Sequence, residues 1–208
     1  MSELTTAFNI IILIMSVVLH EVSHGYAALY FGDQTALRQG RLTLNPLKHL
    51  DMMGSVIIPI ALILSHAPFP FGWARPVPYN PNNLRDYRKG TIAVAVAGVL
   101  ANFLIAIVFG LILRFALHFN FGNEAFLYMT SIIVLINIGL GFFNLIPIAP
   151  LDGSKIIFAL LPPRFRFVEN FFERYAIIIV VAFILILWKY DFISPAVTSI
   201  FSLLTGVH

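Results

Sequence analysis

The residues best placed to do chemistry lie close together near the start of the chain. His20-Glu21-Val22-Ser23-His24 matches H-E-x-x-H. On a helix this four-residue spacing stacks both imidazoles on one face, one turn apart, where they can share a cation. Glu21 sits beside the first of them and can reach a metal-bound water without binding the metal. The alternative is a pair of core histidines hydrogen-bonded to Glu21. Catalytic zinc takes three protein ligands and leaves a fourth position open. The chain has no Cys, so a third ligand must be His, Asp or Glu. Most acids, Asp33, Asp51, Asp86, Glu169, Glu173 and Asp191, fall in or beside loops, and Glu124 lies in a short connector. Asp152 differs, because it closes a 27-residue stretch without Asp, Glu, Lys or Arg. It ends Asn144-Leu145-Ile146-Pro147-Ile148-Ala149-Pro150-Leu151-Asp152-Gly153, where prolines bend the chain and Gly153 permits close approach. Asp152 reads either as the third ligand or as the N-cap of a short helix over 153–161, with Lys155 nearby.

The elements that must carry these residues are set by composition. Of 208 residues, 59% are hydrophobic and only 11% charged, against about 25% in soluble domains. A soluble globule cannot be covered with so few charges. Charge-free blocks at 4–20, 90–113, 125–151 and 192–208, with shorter ones at 22–32, 54–74 and 175–188, approach the ~20 residues a helix needs to cross a bilayer. The expected fold is an all-α polytopic membrane protein, a bundle of about 5–6 transmembrane or re-entrant segments, with a small β or extended loop region. A single domain over 1–208 is expected, and neither a removable signal peptide nor an internal repeat is visible.

Long helices are expected over about 4–31, 91–117 and 125–148. Shorter apolar segments are expected at 54–67, which contains Pro59 and could be re-entrant or tilted, and at 151–161, 175–188 and 192–207. Arg41-Leu42-Thr43-Leu44 alternates like a short strand, and the proline run from Pro68 to Pro81 favours extended chain. Net charge is +3, with four Lys or Arg in 68–90, three in 162–174 and none in 118–124. Such loop asymmetry is that of cytoplasmic loops, and it accounts for the basicity without nucleic acid. His49 reads as a loop histidine paired with Asp51, His66, His118 and His208 as interfacial, and Trp73 and Trp188 as anchors.

The two motifs together resemble the site-2 protease family of intramembrane zinc metalloproteases, in which an H-E-x-x-H helix and a later N-x-x-P-x-x-P-L-D-G segment build one site. Both are complete here, in that order, over roughly 20–153. Gly98-x-x-x-Asn102 is similar to the family's G-x-x-x-N element, with Val99 where Pro is frequent. Gly72-Trp73-Ala74-Arg75-Pro76-Val77-Pro78 resembles a loop of its compact bacterial members, and no region is long enough for an inserted PDZ or CBS domain. The resemblance implies one zinc ion on His20, His24 and Asp152, Glu21 as acid/base, and Asn102 and Asn144 as donors to the substrate backbone. It implies transmembrane protein substrates, the lipid bilayer as surroundings and a prokaryotic cell membrane as location. No Tyr or Arg near the motifs is an evident oxyanion donor. A metal-binding transporter with the same His/His/Asp site, which needs no base at Glu21, is the alternative function. A silent scaffold would have no use for Glu21 beside both ligands.

Overall fold

The computed structural model describes residues 3–65, 72–190 and 193–207. His66, Pro68, Pro70, Asp191 and His208 lie outside the described residues, as does the side chain of Trp188. Nine α-helices occur among the described residues: α1 Glu3–Tyr30, α2 Thr35–Arg38, α3 Ile58–Leu64, α4 Tyr87–His118, α5 Glu124–Leu145, α6 Asp152–Leu160, α7 Arg166–Arg174, α8 Ala176–Tyr190 and α9 Ser194–Thr205. Three of them, α1, α4 and α5, are long and apolar enough to cross a membrane. A fourth span is possible if α7 and α8, bent by 70° at Tyr175, count as one. With the shorter apolar helices Met52–Leu64 and α9, this approaches the expected number of segments, though only three or four have the length to cross.

Local signals set the helix ends. Asp86 caps α4 by accepting from Lys89 N at 2.9 Å, and Asn123 caps α5 by accepting from Phe126 N at 2.9 Å, each supplying an acceptor to the unpaired first turn. Helix α5 stops at Leu145, two residues before Pro147 and earlier than the expected 148, because the residue before a proline is driven out of helical geometry. The chain then turns through a cis Ala149–Pro150 peptide into α6. A side chain at Gly153 would collide with the backbone carbonyls of Leu145 and Ile146, so this turn requires glycine.

Helix α4 is the hub, packing against α1, α5, α6 and α9. A core of Ala106, Val134 and Ile138 is covered by Phe109 and Phe142 and by Val197, Ile200, Phe201 and Leu204 of α9. Outward-facing apolar residues such as Leu100, Leu104 and Ile177 are exposed, as expected of helices whose solvent is lipid.

Of the expected β or extended loop region, the extended alternative is the one that forms: among the described residues there is no strand. Residues 41–44 and 72–80 are irregular or extended, and the latter make isolated backbone contacts with later parts of the preceding loop, Arg75 N donating to His49 O at 2.8 Å and Trp73 N to Gly54 O at 3.1 Å. Pro76 and Pro78 have no N–H to give a ladder. The carbonyls of Arg75 and Pro76 are taken by the Arg41 guanidinium, at 2.9 and 3.1 Å. A side chain therefore occupies the edge that a neighbouring strand would need.

Candidate metal centre

Helix α1 presents Ser16, His20 and His24 on one face by the four-residue period. That face packs against α4, whose Gly98 lies directly opposite. A Cβ there would stand 2.6 Å from ring atoms of both His20 and His24, so only glycine lets the two helices close with the imidazoles between them. The turn after α5 brings in Asp152. All three residues are buried, at 5%, 6% and 4% exposure.

Their geometry is that of a shared ion. Nε2 of His20 and Nε2 of His24 lie 3.0 Å apart, and Asp152 Oδ2 is 3.0 Å from each. Around a tetrahedral zinc with bonds of about 2.0–2.1 Å, neighbouring ligand atoms stand roughly 3.3 Å apart. The far side of each ring decides what these atoms are. His20 Nδ1 is 2.6 Å from Asn102 Oδ1, and His24 Nδ1 is 2.6 Å from the Val94 carbonyl. Both partners only accept, so each neutral ring carries its proton on Nδ1 and turns the Nε2 lone pair inward. Asp152 Oδ2, also buried, has no hydrogen-bond donor. Three lone pairs thus converge with no proton among them, an arrangement that repels itself unless a cation lies between them. Imidazole nitrogen with carboxylate oxygen suits zinc, and these residues fit that ion.

Around the three donors runs a polar chain that the sequence did not announce. Asn102, fully buried, donates from Nδ2 to Asn137 Oδ1 at 2.9 Å, and Asn137 donates to Ser16 Oγ at 2.9 Å and Ile133 O at 2.9 Å. The available signal was an Asn at 137 in the middle of a charge-free span, the kind of group that must find a partner in a membrane helix. Asn102 is thus committed to His20. Asn144 is half buried in the last turn of α5 and donates to Leu140 O of its own helix at 3.0 Å.

Glu21, half buried on the adjacent face, accepts the Val77 N–H through Oε2 at 2.8 Å. Val77 belongs to the extended 72–80 strap, which Arg41 grips one residue earlier. Beyond it, Asp33 accepts Asn80 N at 2.7 Å, Asn83 Nδ2 at 2.9 Å, Thr35 N at 3.1 Å and Thr35 Oγ1 at 2.5 Å. Burial acts to raise the Asp33 carboxyl, but these donors more than offset it and hold the group below its ordinary value. Tyr79, on the same strap, is pushed up chiefly by burial, against the lowering effect of the Lys155 charge. Arg41 and Tyr79 thus lie near a centre from which sequence distance had hidden them, beside Lys155, which the sequence had placed next to Asp152.

Two expectations are corrected. Asp152 does not cap a helix beginning at 153: the N-cap is Leu151 and Asp152 opens α6, its oxygens facing the histidines and Lys155 Nζ, the latter at 3.0 Å. His49 does not pair with Asp51. It is 2% exposed and donates from Nε2 to the Thr43 carbonyl at 2.8 Å, while Asp51 accepts Gly54 N at 2.7 Å. His118 is exposed at the end of α4, as an interfacial residue should be, and Trp73 packs on Gly54.

Comparison with known proteins supplies the lineage. YwhC of Bacillus subtilis, provisionally named a zinc metalloprotease, is 39% identical over 181 residues, covering 83% of this chain and 77% of its own. The Peptidase family M50 profile matches residues 118–187. This chain belongs to peptidase family M50, the site-2 proteases. Within the family, Rip2 of Mycolicibacterium smegmatis, also provisionally named a zinc metalloprotease, is 31% identical over 195 residues, 86% of this chain and 71% of its own. Zinc metalloprotease MJ0392 of Methanocaldococcus jannaschii is 29% identical over 160 residues, 77% of this chain. The match covers only 36% of that relative's length. No solved structure matches the chain. The M50 match includes Asp152 but not the histidine helix, which α4 brings to it in space. Membership of M50 makes the protein a metalloprotease.

Proposed function

We propose that this M50 protein is an intramembrane zinc endopeptidase that cleaves peptide bonds within or near transmembrane segments of other proteins. One observation carries the reading: three inward-facing donors from α1 and α6 meet in a buried site, with Glu21 next to one of them, inside helices of membrane-spanning length. His20, His24 and Asp152 are the residues that would hold one zinc. A zinc ion there supplies Lewis acidity toward a peptide carbonyl and toward water.

The chain's own groups do the rest. Asn102 Oδ1 and the Val94 carbonyl hold each imidazole proton on Nδ1, which keeps both Nε2 atoms available. Glu21 Oε2 takes a proton from the attacking water and returns it to the leaving amine nitrogen. The Val77 N–H occupies one lone pair of Oε2 and anchors the carboxylate, leaving the other acceptor sites for that proton. Asn144, half buried beside the turn to α6, is the candidate donor to the substrate backbone. Asn102 instead orients His20. The basic loops lie at the end of the bundle where α1 finishes and α4 begins, so the positive-inside rule places the site nearer the cytoplasmic face.

The test is a cleavage assay on single-pass membrane proteins, run beside zinc analysis of purified wild type, Glu21→Gln, His20→Ala and Asp152→Ala. The protease reading requires that Glu21→Gln keep its zinc and lose turnover. A Glu21→Gln protein that still moves metal across vesicles, with a wild type that cleaves nothing, would establish a transporter instead.

A further inference from the structure

Asp152 divides its carboxylate between two kinds of neighbour. Oδ2 faces the Nε2 atoms of His20 and His24, 3.0 Å from each. Oδ1 accepts from Lys155 Nζ at 3.0 Å. Lys155 stands three residues after Asp152 on α6, a spacing that places the two side chains over one another. The Lys155 side chain is 36% exposed, whereas that of Asp152 is 5% exposed. A lysine in a membrane protein ordinarily extends its amine toward water. This one turns inward to a carboxylate, and it lies near Glu21 and Tyr79 as well.

We infer that Lys155 is a positioning residue that makes Asp152 a one-oxygen metal ligand: by holding Oδ1 it presents Oδ2 alone to the ion and preserves an open coordination position. Carboxylates bind divalent cations through one oxygen or through both. With Oδ1 released, both oxygens of Asp152 could turn to the ion and fill the position that a catalytic site keeps for reactants. Lys155 has the right charge and reach to prevent this, since its ammonium is a compact point charge with three donors. Partners that orient metal ligands typically change metal affinity or activity by about 10–100-fold when removed.

The inference rests on His20, His24 and Asp152 binding a metal, and the experiment separates the two. Cobalt(II) is loaded into the purified full chain and its visible spectrum recorded for wild type, Lys155→Met and Lys155→Arg, with bound cobalt counted in each. Wild type should show the intense absorption of four-coordinate cobalt. Lys155→Met should keep its cobalt, lose absorption several-fold as coordination rises to five, and cleave roughly 10–100-fold more slowly. Lys155→Arg should restore the spectrum. A wild type that binds no cobalt would overturn the metal reading itself. Wild type and Lys155→Met with the same spectrum, or a folded Lys155→Met that has lost its cobalt, would overturn the role of Lys155 alone. Lys155→Ala gives the same comparison if the methionine variant does not fold.

Discussion

At the scale of single residues, the proposed metal centre depends on groups that would not touch the ion. Asn102 Oδ1 accepts the His20 Nδ1 proton at 2.6 Å. Asn102→Ala should leave that N–H unsatisfied in a buried site and let the ring rotate. The expected loss is about 10–100-fold in zinc affinity, read by chelator competition on purified protein. Gly98→Ala tests close approach, since its methyl would lie 2.6 Å from both rings. It should reduce zinc content at least as severely, while Val99→Ala, on the neighbouring position, should spare it. A Gly98→Ala protein with wild-type zinc would refute the packing account.

At the scale of elements, the 72–80 strap is held by polar contacts at both ends and over the centre: Arg75 N on His49 O, Arg41 on two carbonyls, Val77 N on Glu21, and Asn80 N on Asp33. Hydrogen bonds to charged groups are worth about 1.5–3 kcal/mol each. Arg41→Ala should therefore raise the opening equilibrium of the strap by roughly ten- to a hundredfold, seen as faster amide exchange confined to that segment. Asp33 adds a pH dependence. Its folded carboxyl lies below the ordinary 3.8, so its contribution is complete above that value and is lost as pH falls through the lower folded one. Amide protection of residues 75–83 should weaken on acidification, and Asp33→Asn should show the weakened protection already at neutral pH.

At the scale of the whole molecule, α4 is the element against which the others are arranged, and a metal held by His20, His24 and Asp152 would join α1 to α6 across it. Removing zinc should unlatch that joint. An ion present at 100 times its dissociation constant stabilises the folded state by about 2.7 kcal/mol, so chelation should lower Tm in detergent, and the loss should be absent in His20→Ala. Topology is accessible because the chain has no Cys. Single cysteines placed at 120 and at 85 should label from opposite sides of the membrane, with 85 on the cytoplasmic side. Labelling of both from one side would reverse or break the bundle's expected orientation.

Much of this was legible without coordinates, for definite reasons. Charge-free length marks a membrane helix because the bilayer core offers no water to a polar backbone, so α1, α4 and α5 stood out as apolar blocks. The four-residue spacing of His20 and His24 is a local property of a helix, and the prolines before Asp152 announced a turn. What lies between segments could not be read in the same way. That Asp152 meets the histidines and that Asn102 and Asn137 relay to Ser16 follow from how α4 packs against α1, α5 and α6. The expected strand failed because Arg41, 34 residues before Arg75, occupies the backbone a partner strand would have used. Periodicity along the chain records which surfaces avoid water, and it carries no record of which buried polar groups will satisfy one another across a helix interface. Those pairings are set only when close packing excludes every other partner.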